Sequence, residues 1–154
     1  RPIIIAGSGV LYSEATNELA DFAQLLKIPV MTTMEGKSAI SERNNPFALG
    51  SGSGVMSDTV FEYLRDSDVV IALGTSLTRH PMVTTVPPGK IIIHNTNDSQ
   101  DLYKSYNIDH PLLGDTKVII EQLIESCKGY LSGRDIEDNV TENITKVKQE
   151  YIQK

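Results

Sequence analysis

Apolar runs that end in glycine or in a polar cluster, each followed by a helical spacing, recur along this chain. The first, Pro2-Ile3-Ile4-Ile5-Ala6, runs straight into Gly7-Ser8-Gly9. A β-branched run without polar alternation predicts a strand buried on both faces, as in parallel sheets. Leu19, Phe22, Ala23 and Leu26 then fall at i, i+3, i+4 and i+7 and share one helix face, with Ser13 the expected N-cap. Ile28-Pro29-Val30-Met31-Thr32-Thr33 supplies a second strand, around Val30 to Thr33, and completes a βαβ unit. Met34-Glu35-Gly36-Lys37 and a proline-broken connection through Asn44, Asn45 and Pro46 follow. Gly50-Ser51-Gly52-Ser53-Gly54 precedes Val60, Phe61 and Leu64 on the next helix. Asp68-Val69-Val70-Ile71-Ala72-Leu73-Gly74 is another unbroken strand, and its end opens on Thr75-Ser76.

Pro87-Pro88-Gly89 introduces the buried strand Lys90-Ile91-Ile92-Ile93-His94, which ends in the polar cluster Asn95-Thr96-Asn97-Asp98. A short strand at Pro111-Leu112-Leu113 gives way to Gly114-Asp115, where Asp115 caps a helix with Ile120, Leu123, Ile124 and Cys127 on one face. This alternation predicts an α/β chain, a Rossmann-like three-layer αβα fold with a parallel sheet of about six strands. After Gly129 the pattern changes. Ser132-Gly133 breaks the chain, and Ile136, Val140, Ile144, Val147 and Tyr151 recur every three or four residues in a polar background. That is a linker and an amphipathic helix whose apolar stripe needs a surface, on this domain or on a neighbour.

Composition narrows the function. Lys and Arg number 14 against 20 Asp and Glu, a net charge of -6 without a basic cluster, which argues against a nucleic-acid surface. No apolar run is long enough to cross a bilayer, and no basic-then-apolar signal segment opens the chain, so a cytoplasmic protein without a membrane partner is expected. The single cysteine, Cys127, has no internal disulfide partner and sits in an apolar helix pattern, the place of a core residue. His80, His94 and His110 form no metal-ligand spacing. The sequons at Asn139 and Asn143 are read as chance occurrences. The chain starts without methionine on the residue before its first strand, so a segment of a longer protein is expected.

The glycines at the strand ends have two readings. Gly7 and Gly9 let the backbone turn tightly and approach a phosphate at a helix N-terminus. Alternatively, glycine supplies turn geometry, and Thr or Asp caps a helix. A stand-alone NAD(P)- or FAD-binding Rossmann-like domain of an oxidoreductase would use Gly7-x-Gly9, but Tyr12 stands where its third glycine belongs. A sirtuin-like deacylase needs paired zinc-binding cysteines, which one cysteine excludes.

Several blocks in order carry a family resemblance. They are Arg1-Pro2 before the first strand, Ala6-Gly7-Ser8-Gly9-Val10, Thr32-Thr33-Met34-Glu35-Gly36-Lys37, Leu49-Gly50, Asp68 to Gly74, Ile92-Ile93-His94 and Gly114-Asp115. Together they resemble the central domain of thiamine-diphosphate enzymes, the acetolactate synthase and 2-keto acid decarboxylase superfamily. The likeness covers residues 1–128. Residues 129–154 would be the linker and helix leading toward a C-terminal coenzyme-binding domain. The resemblance implies a DHS-like NAD/FAD-binding fold placed between N- and C-terminal coenzyme domains of the same chain. Those domains supply the activating glutamate and the magnesium-binding Gly-Asp-Gly…Asn motif, so thiamine diphosphate and Mg belong to the parent enzyme. Gly114-Asp115 continues with Thr116, and the helix-cap reading outweighs a metal one.

The resemblance therefore implies a non-catalytic scaffold within a lyase or transferase that forms a homodimer or homotetramer. In some members FAD, and in others ADP, lies along the carboxyl ends of this sheet. The matching positions are Gly7, Ser8, Gly9, Thr33, Gly36, Gly74, Asp98, Gly114 and Asp115, and Thr75, Arg79 and Thr96 complete the candidate cofactor-binding set. Two departures weigh against flavin. The Arg-Phe-Asp-Asp-Arg-like stretch of acetolactate synthases is replaced here by Ser76-Leu77-Thr78-Arg79-His80-Pro81, leaving only Arg79, out of register. Thr96 stands where a ribose-binding acid is common, with Asp98 beyond it. A vestigial or weak nucleotide site, or a pure spacer, is the expectation.

Overall fold

The computed structural model describes residues 1–52, 56–81 and 85–152, without the side chains of 151 and 152. Ser53 and Gly54 of the glycine-serine run, and the side chain of Tyr151, lie outside the described residues. In chain order the elements are β1 (Pro2–Ala6), α1 (Ser8–Tyr12), α2 (Thr16–Leu26), β2 (Val30–Thr32), β3 (Ala48–Ser51) and α3 (Asp58–Asp66). They continue with β4 (Val69–Leu73), β5 (Ile91–Thr96), β6 (His110–Leu113), α4 (Thr116–Leu131) and α5 (Val140–Ile152).

The six strands form one sheet in the order β3-β2-β1-β4-β5-β6, with every neighbouring pair parallel. β1 lies in the middle, with Ile4 opposite Val30 on one side and Ile71 on the other. Its uninterrupted apolar run is explained by burial on both faces. Ile4 and Ala6 pack with Val10, Leu19, Phe22 and Ile120 beneath α1, α2 and α4. Ile3 and Ile5 join Val60, Leu64 and Ile144 beneath α3 and α5. Each such isoleucine contributes about 1.5–3 kcal/mol relative to exposure, so the centre of the sheet is its best-anchored part.

Several expectations are corrected. Ser13 does not cap the first long helix. It closes α1, its hydroxyl donating to the Gly9 carbonyl at 2.7 Å, and α2 begins after Ala15, which offers no side-chain cap. Glu14, at φ 54, makes the break between the two helices. The glycine-serine run holds an edge strand, β3, with a register shift against β2 between Val30 and Met31. On α3, Val60 and Leu64 point inward, but Phe61 stays half-exposed beside the Arg65 guanidinium. β5 runs on through Asn95 and Thr96, which are buried strand residues and not a cluster beyond the strand. Cys127 is half-buried, and burial pushes its thiol pKa up.

At the other end Asp115 caps α4, accepting from the amides of Lys117 and Val118 at 3.0 and 3.2 Å. α4 runs through Gly129 and stops where Ser132 turns left-handed at φ 45. Asp138 accepts from the Val140 and Thr141 amides to start α5. The apolar stripe of α5 finds its surface on this domain: Ile144 is buried with α3, and the Lys148 ammonium donates to the Ala48 carbonyl on β3 at 2.6 Å.

Candidate functional site

The strand order reverses between β1 and β4, and open α/β sheets hold ligands outside the carboxyl ends of their strands at such a point. Here that crevice is crossed by the chain's own backbone. A Cβ on Gly9 would lie 2.6 Å from the Gly74 Cα, and one on Gly74 would lie 2.7 Å from the Val10 nitrogen. One on Gly7 would strike the Gly74 carbonyl oxygen and come within 2.7 Å of the Thr75 Cβ. One on Gly36 would strike the Ala6 carbonyl oxygen. The Gly7 amide donates to the Leu73 carbonyl at 2.9 Å, and the Gly9 amide to the Gly74 carbonyl at 2.8 Å. Gly74 itself sits at φ 60, which glycine tolerates without strain. These glycines make a close crossing of three turns, and the amides of Gly7 and Gly9 are engaged within it.

Two clefts flank the crossing and share Ser8, Thr75 and Ser76 as their dividing wall. The larger, about 410 Å³, lies over β1 and β2, with Ile5, Met31 and Leu77 among its apolar residues and Thr33, Glu35 and His80 among its polar ones. The smaller, about 340 Å³, lies toward β5 and contains Gly9, Tyr12, Gly74, Thr96, Asp101 and Asp115. Neither has a lysine or arginine among its described lining residues, and both carry carboxylates, an unfavourable setting for phosphate.

The end of β5 ties the surrounding turns together. Asn95 is fully buried; its Oδ1 accepts from the Gly74 amide at 3.2 Å, and its Nδ2 donates to the carbonyls of Leu112 and Gly114, each at 3.0 Å. The Thr96 hydroxyl donates to an Asp101 oxygen at 3.2 Å and accepts from the Asp98 amide at 3.1 Å. His94, also fully buried, lies 2.7 Å from the Thr75 carbonyl through Nε2. A carbonyl only accepts, so Nε2 carries the proton and Nδ1 is the bare nitrogen, buried without a partner among the described residues. Burial pushes the His94 pKa below its usual 6.5, against the opposing pull of the Thr75 carbonyl and Asp101.

The structure brings Ser8, Gly9, Gly74, Thr75, Thr96 and Asp115 around the smaller cleft, and Thr33 with Ser8 and Thr75 around the larger one. Thr33 Oγ1 accepts from the Gly36 amide at 3.1 Å, so this pair holds the turn after β2. Other candidates stand elsewhere. Arg79 stacks on Tyr106 at 4.8 Å and faces a separate groove with Lys90 and Lys104. Asp98 caps the single turn Ser99–Asp101 by accepting from the Gln100 amide, and Gly114 serves as a hydrogen-bonding corner for Thr96 and Asn95. The carboxylate that does face the cleft beside Thr96 is Asp101, a residue sequence reasoning passed over. Its only signal was a place in the acid-rich turn after β5.

A family model for the thiamine pyrophosphate enzyme central domain matches residues 1–123, which include all six strands. The chain belongs to that family. A probable acetolactate synthase large subunit of Methanococcus aeolicus is 38% identical over 148 residues, 94% of this chain and 24% of the relative. A 3D-(3,5/4)-trihydroxycyclohexane-1,2-dione hydrolase of Clostridium perfringens is 31% identical over 98% of this chain and 23% of its own length. Benzoylformate decarboxylase from Polynucleobacter necessarius shares the fold, with a TM-score of 0.71 and 19% identity across 92% of this chain and 26% of that one. This central domain spans about a quarter of the length of these relatives. The matches do not favour a stand-alone oxidoreductase domain. Among the described residues no group of His, Cys, Asp and Glu could hold a metal ion, and no helix is long and apolar enough to cross a membrane.

Proposed function

We propose that this chain is the non-catalytic middle domain of a thiamine-diphosphate enzyme of the acetolactate synthase type, acting on a 2-keto acid or a related substrate. Residues 1–128 form the domain, and residues 129–154 lead toward a C-terminal coenzyme-binding domain. The observation that carries this reading is the likeness to acetolactate synthase subunits across nearly the whole chain. Thiamine diphosphate and Mg are assigned to the flanking domains, where the coenzyme would supply carbanion stabilisation to the parent's reaction. A cytoplasmic homodimer or homotetramer goes with that assignment.

Within this middle piece the rim of the sheet is a weak nucleotide site at best. The Gly7 and Gly9 amides are engaged, carboxylates line both clefts, and the wall of Ser8, Thr75 and Ser76 separates them. These features fit an extended FAD poorly. An adenine nucleotide confined to the smaller cleft, with Asp101 and Thr96 toward its ribose hydroxyls, fits better. The test uses the full-length protein with thiamine diphosphate and Mg. Pyruvate consumption with acetolactate formation, and weak ADP binding without bound flavin, are expected. Absence of any thiamine-dependent turnover of 2-keto acids would overturn the assignment, and stoichiometric flavin colour would overturn the account of the rim.

A further inference from the structure

We infer that His94 is the positioning residue of the Thr75–Leu77 wall, acting through its neutral Nε2–H tautomer. Three observations meet at this ring. His94 lies in β5 opposite Ala72 of β4 and Pro111 of β6, with no exposed surface. Its Nε2–H reaches across to the Thr75 carbonyl, 19 residues earlier in the chain, at 2.7 Å. The segment it holds is under backbone tension, because Leu77 is a non-glycine residue at φ 46 and keeps that conformation while its side chain is buried. The Thr75 hydroxyl adds a local bond, accepting from the Leu77 amide at 3.1 Å. Thr75 and Ser76 form the wall between the two clefts, so the position of the ring sets the shape of both.

The surroundings select one protonation state. Asp101, in the turn after β5, is the charged group that acts on the ring, and it is shared with the Thr96 hydroxyl and Lys104. Other titratable side chains on the neighbouring segments include Arg79 and His80 on the loop after β4, Asp98 beside the turn, Tyr106 and Asp109 before β6, His110 on β6, and Lys117 and Glu121 on α4. β4 contributes none. A second proton would go to Nδ1, which has no acceptor among the described residues, and would place a cation in a buried site. The neutral ring holds the wall; a protonated ring would keep its Nε2–H bond to Thr75 but carry a charge and an Nδ1–H without a partner among the described residues, so the site opposes it.

Nitrogen-correlated NMR of the histidine side chains in the full chain tests this directly, with His94→Gln identifying the His94 signals. Glutamine is the conservative variant, since its amide nitrogen reaches about as far as Nε2 and also donates. At neutral pH the His94 shifts should report a protonated Nε2 and a bare Nδ1. The ring should titrate below 6.5, its ordinary value, with the Ser76 and Leu77 amides moving at the same midpoint. His94→Gln should keep those amide positions and lose their titration, whereas His94→Phe should displace them. An Nδ1–H tautomer, a midpoint at or above 6.5, or loop amides indifferent to His94→Phe would overturn the inference. If the phenylalanine variant does not fold, the wild-type tautomer and titration together with His94→Gln still decide. A further arm rests on the nucleotide reading: ADP affinity should fall about tenfold in His94→Phe, the effect of misplacing one hydrogen-bonding wall. Silence toward ADP in the wild type would sink the nucleotide reading, and the NMR result would still decide the role of His94.

Discussion

Replacing Gly9 with alanine asks whether the glycine-rich turn exists for a ligand or for the chain itself. The added methyl would sit 2.6 Å from the Gly74 Cα, 2.8 Å from its oxygen and 3.0 Å from its carbonyl carbon. Carbon atoms in contact stand about 3.5–4.0 Å apart, so α1 would have to move off the β4 turn by about 1 Å. All three neighbours are backbone, and no rotamer change relieves the clash. The movement also opens the hydrogen bond from the Gly9 amide to the Gly74 carbonyl. Overpacking of this kind costs about 1–3 kcal/mol, and the lost bond about 1 more, so a loss near 3 kcal/mol is expected. With a urea dependence of about 1–3 kcal/mol per molar, the unfolding midpoint followed by circular dichroism should fall by about 1–3 M. Gly129→Ala is the internal comparison: it lies exposed within α4 with nothing inside 4 Å, and should raise stability by about 0.5–1 kcal/mol. A Gly9→Ala protein that unfolds at the wild-type midpoint would refute the crossing, and if it also lost ADP binding the turn would be a ligand device after all.

Three further outcomes follow from the same geometry. Asn95→Leu keeps the branched shape of a fully buried side chain, with somewhat larger tips, but leaves the Leu112 and Gly114 carbonyls without their donor; a loss of about 3 kcal/mol in urea unfolding is expected. Lys148→Met retains the apolar stem of α5 and removes the ammonium from the Ala48 carbonyl, so amide exchange in β3 should quicken with a stability loss of about 1 kcal/mol. For pH the sign comes from His94, whose folded-state pKa is depressed. Its contribution is complete above 6.5 and is lost as pH falls below it, since the unfolded chain takes up the proton first; thermal melts from pH 8 down to about 5 should show the decline, and His94→Gln should lessen it.

The strands were legible because their residues are buried on two faces, which leaves an apolar run no other explanation. Ile3 to Ala6 and Val69 to Leu73 are such runs, and both lie at the centre of the sheet. The edge escaped that logic. β3 carries Gly50 and Ser51, and its pairing depends on β2 alone, so its sequence resembles a loop. Helix starts were legible where a side chain caps them, as at Asp115, and misleading at Ser13, where the hydroxyl turns back to close the preceding helix. Phe61 sits at a helical spacing from Leu64 that suggests burial, yet the inward face of α3 is filled by Val60 and Leu64. For the site, sequence marks residues at strand ends but not which way they face. Arg79 and Asp98 occupy the right loops and point to other partners, while Asp101, three residues beyond Asp98, faces the cleft.

A turn that binds phosphate needs amides with nothing else to bond, and it is this condition that the crossing of Gly7, Gly9 and Gly74 alters. Glycine at these positions brings three backbone segments closer than any side chain would permit, and the bonds from Gly7 to Leu73 and from Gly9 to Gly74 then lock them. The polar end of β5 works in the same direction. Asn95 joins the β4 turn to the corner after β6, and His94 joins β5 to the loop beyond that turn, so the ends of β4, β5 and β6 are held at one rim by directional bonds. Such bonds are strong in a low dielectric and tolerate little displacement. They make the carboxyl rim of the sheet stiff. The glycines of the crossing are arranged here to supply that stiffness, so the smaller cleft presents the side chains of Thr96, Asp101 and Asp115 more than free backbone amides.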